Sequence, residues 1–130
     1  MDVVTETSRA SPDTRVIAWL GEHGDRLWLP AIVLADIRYA VDATPPSRER
    51  YALKRWLAAL TARFAARIVP FDAGAAEAHA RLRVHLAGIG ETMDAADSYI
   101  AATATSRNAP IATSERPRFA HAQVAIVDPR

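Results

Sequence analysis

The chain has 130 residues, 50% of them hydrophobic and 24% charged, an ordinary globular balance that excludes wholesale disorder. Its 16 basic residues stand against 15 acidic ones, and a net charge of +1 provides no polybasic coat for nonspecific nucleic-acid binding. Cysteine is absent, which excludes disulfides, thiolate metal sites and a cysteine nucleophile, and fits a reducing compartment. No apolar run approaches the ~20 residues that span a membrane. The opening segment has neither the basic start nor the apolar stretch of a secretory signal. A soluble, cytoplasmic protein with no membrane partner is expected.

In chain order, Pro12-Asp13 introduces a helix from Thr14 to Gly21, with Gly21 and Gly24 bracketing its end. Leu27 to Val33 reads as a short buried strand, in spite of Pro30 at its centre. A helix over Val33 to Ala43 stops before Pro45-Pro46, and Ser47 can cap the next one. That helix, Ser47 to Arg67, carries Tyr51, Leu53, Trp56, Leu57, Leu60 and Phe64 at spacings of three and four. Ile68 to Phe71 reads as a strand, and Asp72 as the cap of a helix from Ala73 to Ala87, closed by Gly88 and Gly90.

Asp94 is placed to cap Ala95 to Arg107, a run of small and apolar residues that predicts deep burial. Pro110 to Thr113 and Val124 to Val127 supply the last two strands. Strands alternating with helices in this order predict an α/β fold, a parallel sheet covered on both faces. Trp19, Trp28 and Trp56 sit on apolar faces and are read as core.

A ligand site in such a sheet lies beyond the carboxyl ends of the strands. Three acids meet that criterion: Asp36 after the first strand, Asp97 in the first turn of the buried helix, and Glu115 after Ile111-Ala112-Thr113. Converging carboxylates repel unless a divalent cation sits among them, and oxygen ligands favour magnesium or manganese. Each acid also has a plain structural role open to it: a cap, a surface ion pair or a loop residue. Spacing alone does not make the three a motif. The histidines are scattered, and without cysteine zinc has no convincing ligand set. No glycine-rich phosphate loop, G-x-S-x-G or H-E-x-x-H is present.

The run Asp97-Ser98-Tyr99-Ile100-Ala101-Ala102-Thr103-Ala104, followed by Pro110-Ile111-Ala112-Thr113-Ser114-Glu115, resembles the C-terminal half of VapC-type PIN-domain toxins of the FitB-like branch. The resemblance continues through Arg15–Leu20, Leu34–Tyr39, Arg67–Asp72 and Val124–Pro129, in order and at compatible spacing. It implies one PIN-like domain over residues 1–130, a three-layer α/β/α fold with a parallel sheet. It also implies the toxin of a type II toxin–antitoxin pair, a magnesium- or manganese-dependent endoribonuclease whose acids hold the metal that activates water against RNA. Its partners would be a cognate antitoxin, an RNA substrate and a second copy in a homodimer.

Carried over by position, Asp97 matches a family Asp, Asp36 stands where the family usually has Glu, and Glu115 where this branch has Asp, Asn or a neighbouring acid. Thr113 matches a small hydroxyl residue. The family's first strand, ending in Asp-Thr-Asn, has no counterpart, because Asp2-Val3-Val4-Thr5-Glu6 aligns just after it and Met1 falls where its Thr would be. The resemblance therefore implies a sheet lacking its central strand, with two unpaired edges. Either the start codon lies upstream or the chain is a decayed, non-catalytic homologue that only binds an antitoxin or sister subunit.

Overall fold

The computed structural model describes residues 2–130. Met1, and with it the register of the family Thr, lies outside the described residues. Helices dominate. The order is α1 (Asp2–Thr5), α2 (Thr14–His23), β1 (Leu29–Pro30), α3 (Ala31–Ala43), α4 (Arg48–Arg63), β2 (Ile68–Val69), α5 (Ala73–Ile89), α6 (Ala95–Ser106), β3 (Ile111–Ala112) and β4 (Ile126–Val127).

The strands form two separate parallel ladders, β1 with β2 and β3 with β4. Leu29 pairs with Ile68 and Pro30 with Val69 in one; Ile111 pairs with Ile126 and Ala112 with Val127 in the other. The sheet is thus split into two separate ladders among the described residues. Each strand is only two residues long, shorter than the apolar runs suggest. Pro30, which has no N–H to donate to a ladder, is the last strand residue and the N-cap of α3. That is why helix begins at Ala31 instead of Val33.

Local chemistry sets the helix ends. Asp13 accepts from the Arg15 N–H, Ser47 from the Arg50 N–H at 3.1 Å, and Asp72 from the Ala75 N–H at 3.0 Å. Gly90 closes α5 at φ 70°, a left-handed position that favours glycine, and Gly88 lies inside the helix. Asp94 occupies the N-cap position of α6, but its side chain makes no capping bond. Helix α4 ends at Arg63, followed by a separate 3-10 turn over Ala65–Arg67. Arg67 fastens that turn by donating through Nη1 to the carbonyls of Gly24 and Leu27.

The main core joins Leu29, Val33 and Ile37 to Leu57, Leu60 and Phe64, and to Leu82, Leu86, Ile100 and Ala101. A smaller cluster holds Val3, Val16 and Leu20. Two aromatic residues expected inside are not. Trp28 is 59% exposed and Tyr51 66% exposed, while Trp56 is half-buried and donates its indole N–H to Thr7 Oγ1 at 2.8 Å. No helix of the described residues is long and apolar enough to cross a membrane.

His79 on α5 stacks on Tyr99 of α6 at 4.6 Å between centroids, and its Nε2 lies 3.0 Å from Ser98 Oγ. Burial, then the charge of Arg83, lowers the His79 pKa below its usual 6.5. A folded-state pKa below the unfolded one means that stability is full above 6.5 and declines as pH falls through the folded value. His79→Gln should flatten that decline in denaturation midpoints taken from neutral to acid pH. Leu57, with no exposed surface, gives a larger effect: Leu57→Ala should cost about 2–5 kcal/mol in denaturant unfolding.

Candidate active site

The residues that follow β3 build the site. Thr113 and Ser114 turn back on the start of the chain: Thr113 Oγ1 donates to Asp2 Oδ1 at 2.8 Å and the Ser114 N–H to Asp2 Oδ2 at 2.7 Å. Thr113 Oγ1 also accepts from the Glu115 N–H at 3.0 Å. Thr113 is buried, so these bonds are sheltered from water and fix the chain at the carboxyl end of the strand.

Immediately beyond, the 3-10 turn Arg116–Phe119 sets Arg118 three residues after Glu115. Its guanidinium forks onto Asp97, with Nε 3.1 Å from Oδ2 and Nη2 bonded to Oδ1, while Nη1 donates to Glu115 Oε2 at 2.5 Å. The Asp97 side chain is only 7% exposed, that of Arg118 33% and that of Glu115 50%. The bond to Asp97, the largest effect, and that to Glu115 hold the Arg118 guanidinium protonated even more firmly than usual, against the opposing influence of burial.

Asp97 and Glu115 are thus brought together through one shared cation. Asp36, half-buried in the second turn of α3, has no hydrogen bond or ion pair to either of them. Asp97 does not cap its helix, and its carboxylate is buried. Two participants went unread in the sequence, Asp2 and Arg118. Arg118 had a local signal in its three-residue spacing from Glu115. Asp2 had none, since its partner Thr113 lies 111 residues away.

Whether these residues suit a divalent cation can be judged from their donors. Both Asp97 oxygens are engaged by Arg118, and both Asp2 oxygens accept from Thr113 and Ser114. The described residues contain no group of three or more carboxylate or imidazole side chains that could hold one metal ion. Magnesium demands near-ideal octahedral oxygen geometry. The arrangement described does not fit it: Arg118 neutralises the carboxylates in its place.

Because Asp97 is buried, removing its counter-ion leaves an uncompensated charge. Arg118→Ala should destabilise by about 1–3 kcal/mol, below the cost for a fully buried pair because Arg118 is one-third exposed. Combining it with Asp97→Asn should recover part of the loss in a double-mutant cycle. Arg118→Lys should not restore the wild-type value, since an ammonium cannot make the two-pronged contact.

The PIN domain family profile matches residues 3–124. Over 98% of its length the chain is 32% identical to the VapC ribonuclease Y4jK of Sinorhizobium fredii, covering 93% of that protein. It is 34% identical, again over 98% of its length, to toxin FitB of Neisseria gonorrhoeae, of which it covers 94%. The crystal structure of FitAcB from Neisseria gonorrhoeae superposes with a TM-score of 0.86 at 34% identity, over 98% of this chain and 94% of that one. The match spans both ladders and the Asp97–Arg118–Glu115 group alike, and the chain belongs to the PIN domain family, with VapC- and FitB-type toxins among its relatives.

Proposed function

We propose that the chain is the toxin component of a type II toxin–antitoxin pair in the cytoplasm. By this reading its pocket descends from that of magnesium- or manganese-dependent endoribonucleases, with RNA as substrate and a cognate antitoxin as partner. The observation that carries the reading is the pair of carboxylates, Asp97 and Glu115, trained on one cationic point beyond β3. In the arrangement described that point is held by Arg118, and Asp36 stands outside the bonded group. The chain by itself is therefore a weak or inactive ribonuclease. Its alternative role, a PIN-like module that only binds an antitoxin or sister subunit, is favoured by the same guanidinium.

The two roles separate in an RNA-cleavage assay with magnesium, manganese and chelator. Wild-type protein should cleave weakly or not at all, and Asp97→Asn should remove any residual chelator-sensitive cleavage. Robust chelator-sensitive cleavage that survives Asp97→Asn would overturn the assignment of Asp97. An added leading strand ending in Asp-Thr should raise activity if the nuclease chemistry is retained; continued inactivity selects the binding-only role. A homodimer is part of the same proposal, supported by Tyr39 on α3 and Tyr51 on α4, which are 76% and 66% exposed. Light scattering should give twice the monomer mass, and a strict monomer at high concentration argues against it.

A further inference from the structure

The turn after β3 lets one side chain move while its backbone stays in place. Phe119 is buried and anchors the 3-10 turn Arg116–Phe119, and the Arg118 N–H donates to the Glu115 carbonyl at 3.1 Å. Arg118 itself is one-third exposed, with its guanidinium carbon 5.7 Å from the centre of the Phe119 ring. Solvent therefore reaches the guanidinium, and a change of side-chain rotamer releases it from the carboxylates with the turn intact.

Charge gives that movement a direction. Asp97 and Glu115 carry two negative charges and Arg118 one positive, so the bonded group is left at −1. A divalent ion in the guanidinium's place brings the two carboxylates to zero, and the buried Asp97 gains most from full compensation. Magnesium is commonly held by only one or two carboxylates, with water in several of the remaining positions. Glu115 is half exposed and has room to adjust to a smaller cation. Guanidinium and metal ion compete for the same oxygens, so the pair holds one of them at a time.

We infer that Arg118 is an internal lock on a latent divalent-cation site at Asp97 and Glu115. Closed, the guanidinium shuts the ion out; swung to solvent, it admits one. The mismatch between the closed arrangement and a metal ion is then itself the regulatory device. The lock deepens the reading of this pocket given above and rests on it, but it concerns ion binding and not cleavage.

The probe is Mn2+ alone, followed by electron paramagnetic resonance of the free ion, with thermal melts in parallel. A site closed in about nine molecules of ten binds about tenfold more weakly than an open one, so Arg118→Gln should bind Mn2+ about tenfold or more tightly than wild type. At a hundredfold excess over the variant's Kd, Mn2+ should raise the variant's Tm by about 5–10 °C and that of wild type by about half as much or less. Asp97→Asn added to Arg118→Gln should abolish the binding. Methylguanidinium supplied to Arg118→Ala should displace Mn2+, and methylammonium at the same concentration should not, because only the planar fork reaches both carboxylates.

Equal Mn2+ affinity in wild type and Arg118→Gln overturns the lock. So does a folded Arg118→Gln that binds no Mn2+, or binding that survives Asp97→Asn. If Arg118→Gln does not fold, Arg118→Lys replaces it; its ammonium keeps the charge without the fork, and an affinity equal to wild type overturns the inference. RNA cleavage by the same samples keeps the two readings apart. Mn2+ binding by Arg118→Gln without cleavage leaves the lock standing and defeats the nuclease reading. Equal chelator-sensitive cleavage by wild type and Arg118→Gln does the reverse.

Discussion

Alanine packing between α5 and α6 is the contact on which the rest of the structure rests. Ala75, Ala78, Ala101 and Ala102 are at most 3% exposed, and these two helices make the most extensive contact in the molecule. Small side chains let the helix backbones approach closely, with little side-chain entropy lost on burial. Two ladders of two residues each cannot supply a scaffold of their own. The helices carry the load instead, and α6 in particular bears Asp97 in its first turn, where the rigid helix pair fixes the carboxylate.

From that base the electrostatics follow simply. A buried carboxylate needs a partner, and the nearest elements offer a choice between a bound cation and a side chain. Arg118 meets the need with a planar fork whose three N–H groups reach two carboxylates at once, geometry a lysine lacks. The near-exclusive use of arginine over lysine in this chain, with Lys54 the only lysine, makes such a contact more available without explaining its position.

Local signals in the sequence correspond closely to what formed. Asp72 and Ser47 cap the helices they precede, Gly90 ends α5, and the small-residue run after Asp94 is the buried helix. The strands were harder to delimit, because Ile68 to Phe71 and Pro110 to Thr113 are apolar well past the two residues that pair. With a partner on one edge only, each strand has fewer hydrogen bonds to extend it. The site was half visible. Asp97 and Glu115 lie together beyond strand ends, whereas Asp36 remains apart, Asp2 enters only through tertiary contact, and Arg118 signals itself locally only by its spacing from Glu115. Trp28 misled for a related reason: its apolar surroundings include a groove, which pattern alone cannot distinguish from a core.

The bonds from Thr113 and Ser114 to Asp2 span 111 and 112 residues and tie the beginning of the chain to its end. During synthesis the N-terminal part emerges first, at about 5–20 residues per second. Asp2 therefore leaves the ribosome 111 residues ahead of Thr113. Closing so long a loop adds only logarithmically to the entropy cost, but it orders events in time. Asp97, Glu115 and Arg118 also belong to the last part of the chain to emerge, so no nascent fragment lacking its C-terminal quarter can assemble this carboxylate pocket.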